Sequence, residues 1–199
     1  MATPPIPRVR FDAFSDAVFA IAMTIMVLEL KIPGISSTAP NGVLRQALFD
    51  ASPVLMAYLV SFFILSQLWI NHSQVSKHSE HLSKASGQLN LLFLLFVCLV
   101  PFPTSLLGEF GLRVETLIPL EIVILGASVT LGLLRRSIIR GEGASPVSLR
   151  AQTLRTSLCG AIGVIGIMCA LFGAQSDVLL VISLALVGFA PVAFRFFRK

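Results

Sequence analysis

The chain has 199 residues, of which 55% are apolar and only 13% carry a charge, against about 25% charged in an ordinary soluble domain. With a mean hydropathy of +0.88, this composition excludes a single water-exposed globule and calls for an apolar solvent; six helical spans of about 20 residues would use about 120 of them and leave short loops. The net charge of +5 does not indicate a nucleic-acid surface, because the basic residues are divided among several loops instead of gathered on one face.

The first predicted span runs over 11–32 and ends at Pro33-Gly34, a turn signal. Arg8 and Arg10 precede it as they would a signal peptide. Asp12 and Asp16 interrupt that pattern and no A-x-A site follows, so the segment reads as a mature helix. The second span covers 44–70, with Pro53 in its early turns. A polar stretch with His72, His78 and His81 then leads to the third, 89–107, which Pro101 and Pro103 should kink or shorten. The fourth covers 116–134, and a basic, Gly-rich linker separates it from the fifth, 154–174, and the sixth, 178–194. The expected fold is therefore an all-α membrane protein with six transmembrane helices in one domain spanning 1–199.

Charge sets the expected orientation. Twelve of the fifteen Lys and Arg residues fall on one side if the N-terminus is cytoplasmic, leaving Lys31, Arg45 and Arg113 outside. Such a bias places both termini in the cytoplasm of a multi-pass cell-membrane protein. Cys98, Cys159 and Cys169 all lie in apolar runs. They read as packing residues, with no disulfide framework and no metal set. The fifth span carries small-xxx-small pairs such as Cys159/Gly163 and Gly166/Ala170, which allow close helix packing.

The first span holds the polar residues that need explaining: Asp12, Ser15, Asp16, Thr24 and Glu29. Intramembrane acids are costly and need partners. Arg8 and Asp12 are one turn apart and can pair, whereas Arg10 points away from Asp16 and would need an intermediary such as His72. On the other side of the helix, Ile21, Ile25 and Leu28 fall within about 60° of one another, with Thr24 at the edge of the stripe.

The run Arg10-Phe11-Asp12-Ala13-Phe14-Ser15-Asp16, followed by Ala17-Val18-Phe19-Ala20-Ile21 and by Val27-Leu28-Glu29-Leu30-Lys31-Ile32-Pro33, resembles the signature of the transmembrane protein 175 family of potassium channels in its single-repeat prokaryotic form. The resemblance implies a homotetramer, one chain with three further copies of itself, whose first helices line a central pore. It implies a hydrophobic constriction at Ile21, Ile25 and Leu28 and a hydroxyl ring at Thr24. It also implies a structural network of Arg10, Phe14, Ser15, Asp16, Trp69 and His72. Paired histidines are expected after the tryptophan, where this chain has Trp69-Ile70-Asn71-His72-Ser73. The implied function is a passive potassium channel, weakly selective over sodium, with lipid and the permeant potassium ion as its other partners and no cofactor or resident metal. The alternative is a proton-coupled or cation secondary transporter using the intramembrane acids. No T-V-G-Y-G filter occurs, and no H-E-x-x-H or G-x-S-x-G motif suggests an enzyme.

Overall fold

The computed structural model describes residues 7–30, 41–75 and 83–141, and all of the elements in them are helical. The expected fifth and sixth spans lie outside the described residues. Helix α1 is Arg8–Ile25, continued by a 3₁₀ turn at Met26–Glu29; α2 is Asn41–Asp50, α3 Ser52–Val75, α4 Lys84–Leu99, α5 Pro101–Phe110 and α6 Val114–Gly141. Four helical stretches are long and apolar enough to cross a membrane: Arg8–Glu29, Ser52–Val75, Lys84–Phe110 and Val114–Arg140.

The boundaries differ from those expected, for identifiable reasons. The second span does not begin at 44. The chain breaks at Ala51, and Ser52–Val75 forms the crossing helix alone. Pro53 disfavours helical geometry at the residue before it and cannot donate a backbone hydrogen bond, so it belongs in a first turn. The third span is interrupted at Val100, as Pro101 requires, and Val100 N falls back on an i→i+3 bond to Val97 O at 3.3 Å. It also starts earlier than 89, because Ser83 caps α4 by accepting from Ser86 N at 3.1 Å. Helix α6 continues past 134 through Arg135, Arg136 and Arg140, since backbone hydrogen bonding does not stop where the apolar run ends.

Packing is densest between α4 and α6, then between α3 and α5. Apolar side chains gain little by leaving lipid for a protein interior, so contact quality and close approach hold such helices together. Gly126 of α6 shows this: a methyl group there would run into the Phe96 ring of α4. Gly111, at φ 73°, ends α5 and lets the chain reverse into α6. Phe19, Phe93, Ile64, Leu68, Leu120 and Ile124 form the centre of the core.

The buried positions of the first span are Arg8, Ser15, Phe19, Ala22 and Met26. Their spacing of seven, four, three and four residues traces one stripe along the helix. Everything else on α1 is half-buried or exposed.

Candidate functional site

That single stripe divides α1 into an inner face bonded to α3 and α4 and an outer face that the described residues leave uncovered. On the inner face, Ser15 is fully buried and donates to Phe11 O at 2.8 Å. Its one hydrogen is thereby committed, so it accepts from Asn90 Nδ2 at 3.1 Å. The amide oxygen of Asn90 then faces His72 Nε2 at 2.7 Å, which fixes Nε2 as the protonated nitrogen of the ring. The His72 ring stacks on Phe93 at a centroid distance of 5.2 Å and lies 6.2 Å from Phe19. Three helices, α1, α3 and α4, are thus joined by a continuous buried chain of polar groups.

A second tie lies at the edge of this face, where Trp69 Nε1 donates to Asp16 Oδ1 at 2.9 Å. A third closes the end of the bundle. Arg8 Nη2 donates to Val75 O at 3.3 Å, the last carbonyl of α3, where a cation is favoured. Arg8 Nε also meets Asp12 Oδ2 at 3.4 Å, the one-turn pairing expected from their spacing.

These ties include Ser15, Asp16, Trp69 and His72 of the expected network. Arg10 is exposed and no described side chain bonds to it, while Phe14 points outward at 52% exposure. Two residues in the ties were not anticipated. Asn90 bridges Ser15 and His72, and its signal was available as a lone amide in the run Leu89-Asn90-Leu91, the kind of polar residue that joins membrane helices. Arg8, expected only to pair with Asp12, also holds the end of α3.

The outer face carries the other expected positions. Ile21 is 57% exposed, Ile25 45% and Leu28 65%, and Thr24 is exposed beside them. Thr24 Oγ1 donates back along its own helix, with Ala20 O at 2.8 Å and Ile21 O at 3.0 Å. With its hydrogen held there, the oxygen's remaining lone-pair capacity faces outward. An outward apolar stripe with one oxygen acceptor in it can line a narrow path for a cation. Among the described residues no group of three His, Cys, Asp or Glu side chains is placed to hold a metal ion.

Residues 10–101, which contain Ser15, Asp16, Trp69, His72, Asn90 and the outer stripe but not Arg8, match the family described as endosomal/lysosomal potassium channel TMEM175. The chain belongs to the TMEM175 family. A potassium channel of Streptomyces collinus is 43% identical over 101 residues, 51% of this chain and 48% of that one. A potassium channel of Chamaesiphon minutus is 40% identical over 101 residues, 51% and 49% of the two chains, and one from a Chryseobacterium is 32% identical over 134 residues, 67% and 66%. The matched stretch spans about half the length of the first two of these relatives. The crystal structure of a lysosomal potassium-selective channel TMEM175 homolog from Chamaesiphon minutus superposes with a TM-score of 0.73 at 23% identity, covering 96% of this chain and 98% of that one. The described helices thus resemble the fold of that structure, and this family member is a multi-pass membrane protein.

Proposed function

We propose that the chain is the subunit of a passive potassium channel, in which four copies place their first helices around a central pore. The supporting observation is the division of α1. Its inner face is tied into the subunit by the Ser15–Asn90–His72 chain and the Asp16–Trp69 bond, while Ile21, Ile25 and Leu28 stand exposed on the other side of the same helix. The names carried by the bacterial relatives support the same ion.

In this proposal each subunit has six spans and both termini cytoplasmic, in the cell membrane. The basic residues Arg8, Arg10, Lys84, Arg135, Arg136 and Arg140 lie at the end of the bundle marked by the Arg8–Val75 and Ser86–Ser137 bonds, which is then the inner end. Four Ile21 side chains form the narrowest ring, with Ile25 and Leu28 rings beyond it. A ring of this kind offers a hydrated ion no replacement ligands and passes the ion that sheds water at lower cost, which is potassium rather than sodium. Thr24 oxygens, one turn from Ile21, supply partial replacement ligands, and the selectivity is correspondingly modest. No resident cofactor or metal is required.

The test is flux through reconstituted vesicles. Ile21→Asn widens and wets the ring, so potassium flux rises and the preference over sodium falls; unchanged flux and selectivity would remove Ile21 from the constriction. Electrodiffusive rubidium or potassium flux supports the channel, whereas saturable uptake coupled to a proton gradient would identify a transporter. Fourfold symmetry of the purified particle about the first helices tests the assembly directly.

A further inference from the structure

At the basic end of the bundle, away from the α1 stripe, α4 and α6 enclose a groove of about 610 Å³ lined by Leu89, Leu133, Arg136, Ser137 and Arg140. Its lining is graded along the helix axis. Leu133 and Leu89 form the deeper wall, and Arg136, Ser137 and Arg140 the outer one. The seven residue steps from Leu133 to Arg140 cover about 10 Å of α6. That is about the depth of one headgroup layer, roughly 5–8 Å, together with the start of the acyl region. Arg136 and Arg140 are both exposed and one turn apart, so their guanidinium groups share a face.

Among the described residues, the acids at this end, Asp12 and Asp16, are already engaged. Asp12 is bridged to Arg8 at 3.4 Å and Asp16 accepts from Trp69. Neither Arg136 nor Arg140 forms an ion pair among the described residues. Ser137 is held at 2.9 Å from Ser86, itself bonded to the α4 cap Ser83. The polar wall is thus fixed to two helix ends.

We propose that this groove binds one anionic phospholipid, its phosphate bridging Arg136 and Arg140 and its acyl chain lying along Leu89 and Leu133. Charge complementarity identifies the occupant: two arginine forks match phosphate oxygens bidentately, basic pockets between membrane helices suit anionic headgroups, and the leucines exclude a ligand that is polar throughout. The assignment does not depend on which ion the protein conducts, and its readout is binding.

The test titrates phosphatidylglycerol onto the purified full-length protein in phosphatidylcholine nanodiscs and counts retained lipid by native mass spectrometry. Arg136→Gln with Arg140→Gln should weaken phosphatidylglycerol binding about 30-fold, the equivalent of about 1 kcal/mol for each basic residue near an anionic surface. Arg136→Lys with Arg140→Lys keeps the charge and should retain most of the binding, which guards against a folding effect of the glutamine pair. Arg45→Gln with Arg113→Gln removes the same charge at the opposite end and should change binding less than about 3-fold. The proposal is overturned if the Arg136/Arg140 glutamine pair binds within about 3-fold of wild type, or if the Arg45/Arg113 pair loses as much. It is also overturned if millimolar inorganic phosphate displaces the lipid completely, which would mark a free-anion site.

Discussion

The first and fourth membrane spans are both apolar, yet the protomer uses them in opposite ways. In the most apolar stretch of Val114–Arg140, 61% of the residues are buried inside the protomer; in that of Arg8–Glu29, only 22% are. Helix α6 is the protomer's own core element. It is packed along its length against α4 and even takes the acid Glu121 fully inside, as an intramembrane carboxylate requires. Helix α1 is a peripheral element in a single protomer, fixed by one narrow stripe and a few polar bonds. Hydropathy reports that a segment prefers lipid to water but is silent on whether its contacts are lipid, its own subunit or another copy. Polar residues separate the cases: on α1 they hold one face, and the described residues leave the opposite face open.

Substitutions should therefore act on stability along the α1 inner stripe and the α4–α6 contact, and on conduction along the α1 outer stripe. The largest stability loss is expected for Asn90→Leu. It leaves His72 Nε2 and Ser15 Oγ buried without the partner they share, at a cost of about 2–3 kcal/mol. Thermal unfolding in detergent should show it as a drop of about 4–12 °C. Adding His72→Phe should recover part of the loss, because removing both partners of a buried hydrogen bond costs less than orphaning one. Simple additivity of the two substitutions would mean that the chain does not act as a unit. Next in size is Gly126→Ala, where the new methyl meets Phe96; overpacking of this kind costs about 1–3 kcal/mol. Phe96→Leu in the same protein should relieve it, and failure to do so would place the close approach elsewhere.

Both faces of α1 were legible in the sequence to different degrees. The outer stripe followed from helical spacing alone, because Ile21, Ile25 and Leu28 are neighbours on one helix. The inner face depends on contacts between residues far apart in the chain. Asn90 meets Ser15 across 75 positions and Arg8 meets Val75 across 67, and periodicity contains no such information. The resemblance supplied Trp69 as a partner for Asp16, but it also suggested Arg10 where Arg8 makes the tie to α3. Among the breaks, the one at Val100 is announced by Pro101, while that at Ala51 is marked only by the local run Asp50-Ala51-Ser52-Pro53, which a span beginning at 44 passes over. The reach of α3 to Val75 and of α6 to Gly141 goes beyond the expected spans for a related reason: hydropathy marks the edge of the membrane, and these helices extend past it.

The smaller predictions separate the two faces of α1 most sharply. Trp69→Phe keeps the aromatic bulk and removes only the bond to Asp16. Trp69 is 41% exposed, so other donors can reach the carboxylate and the loss should stay near the low end of about 0.5–1.5 kcal/mol. Ile21→Ala should change protomer stability by no more than about 0.5 kcal/mol, since no core contact is lost at a side chain 57% exposed. In vesicles the same variant should raise potassium flux, because four shortened side chains widen the ring that Ile21 is proposed to form. The two measurements must be made on one preparation, since their combination carries the argument. Flux without destabilisation assigns the stripe to the pore. Destabilisation of the isolated protomer would return Ile21 to ordinary packing, and loss of the tetramer with an intact protomer would make the stripe a subunit contact rather than a lining.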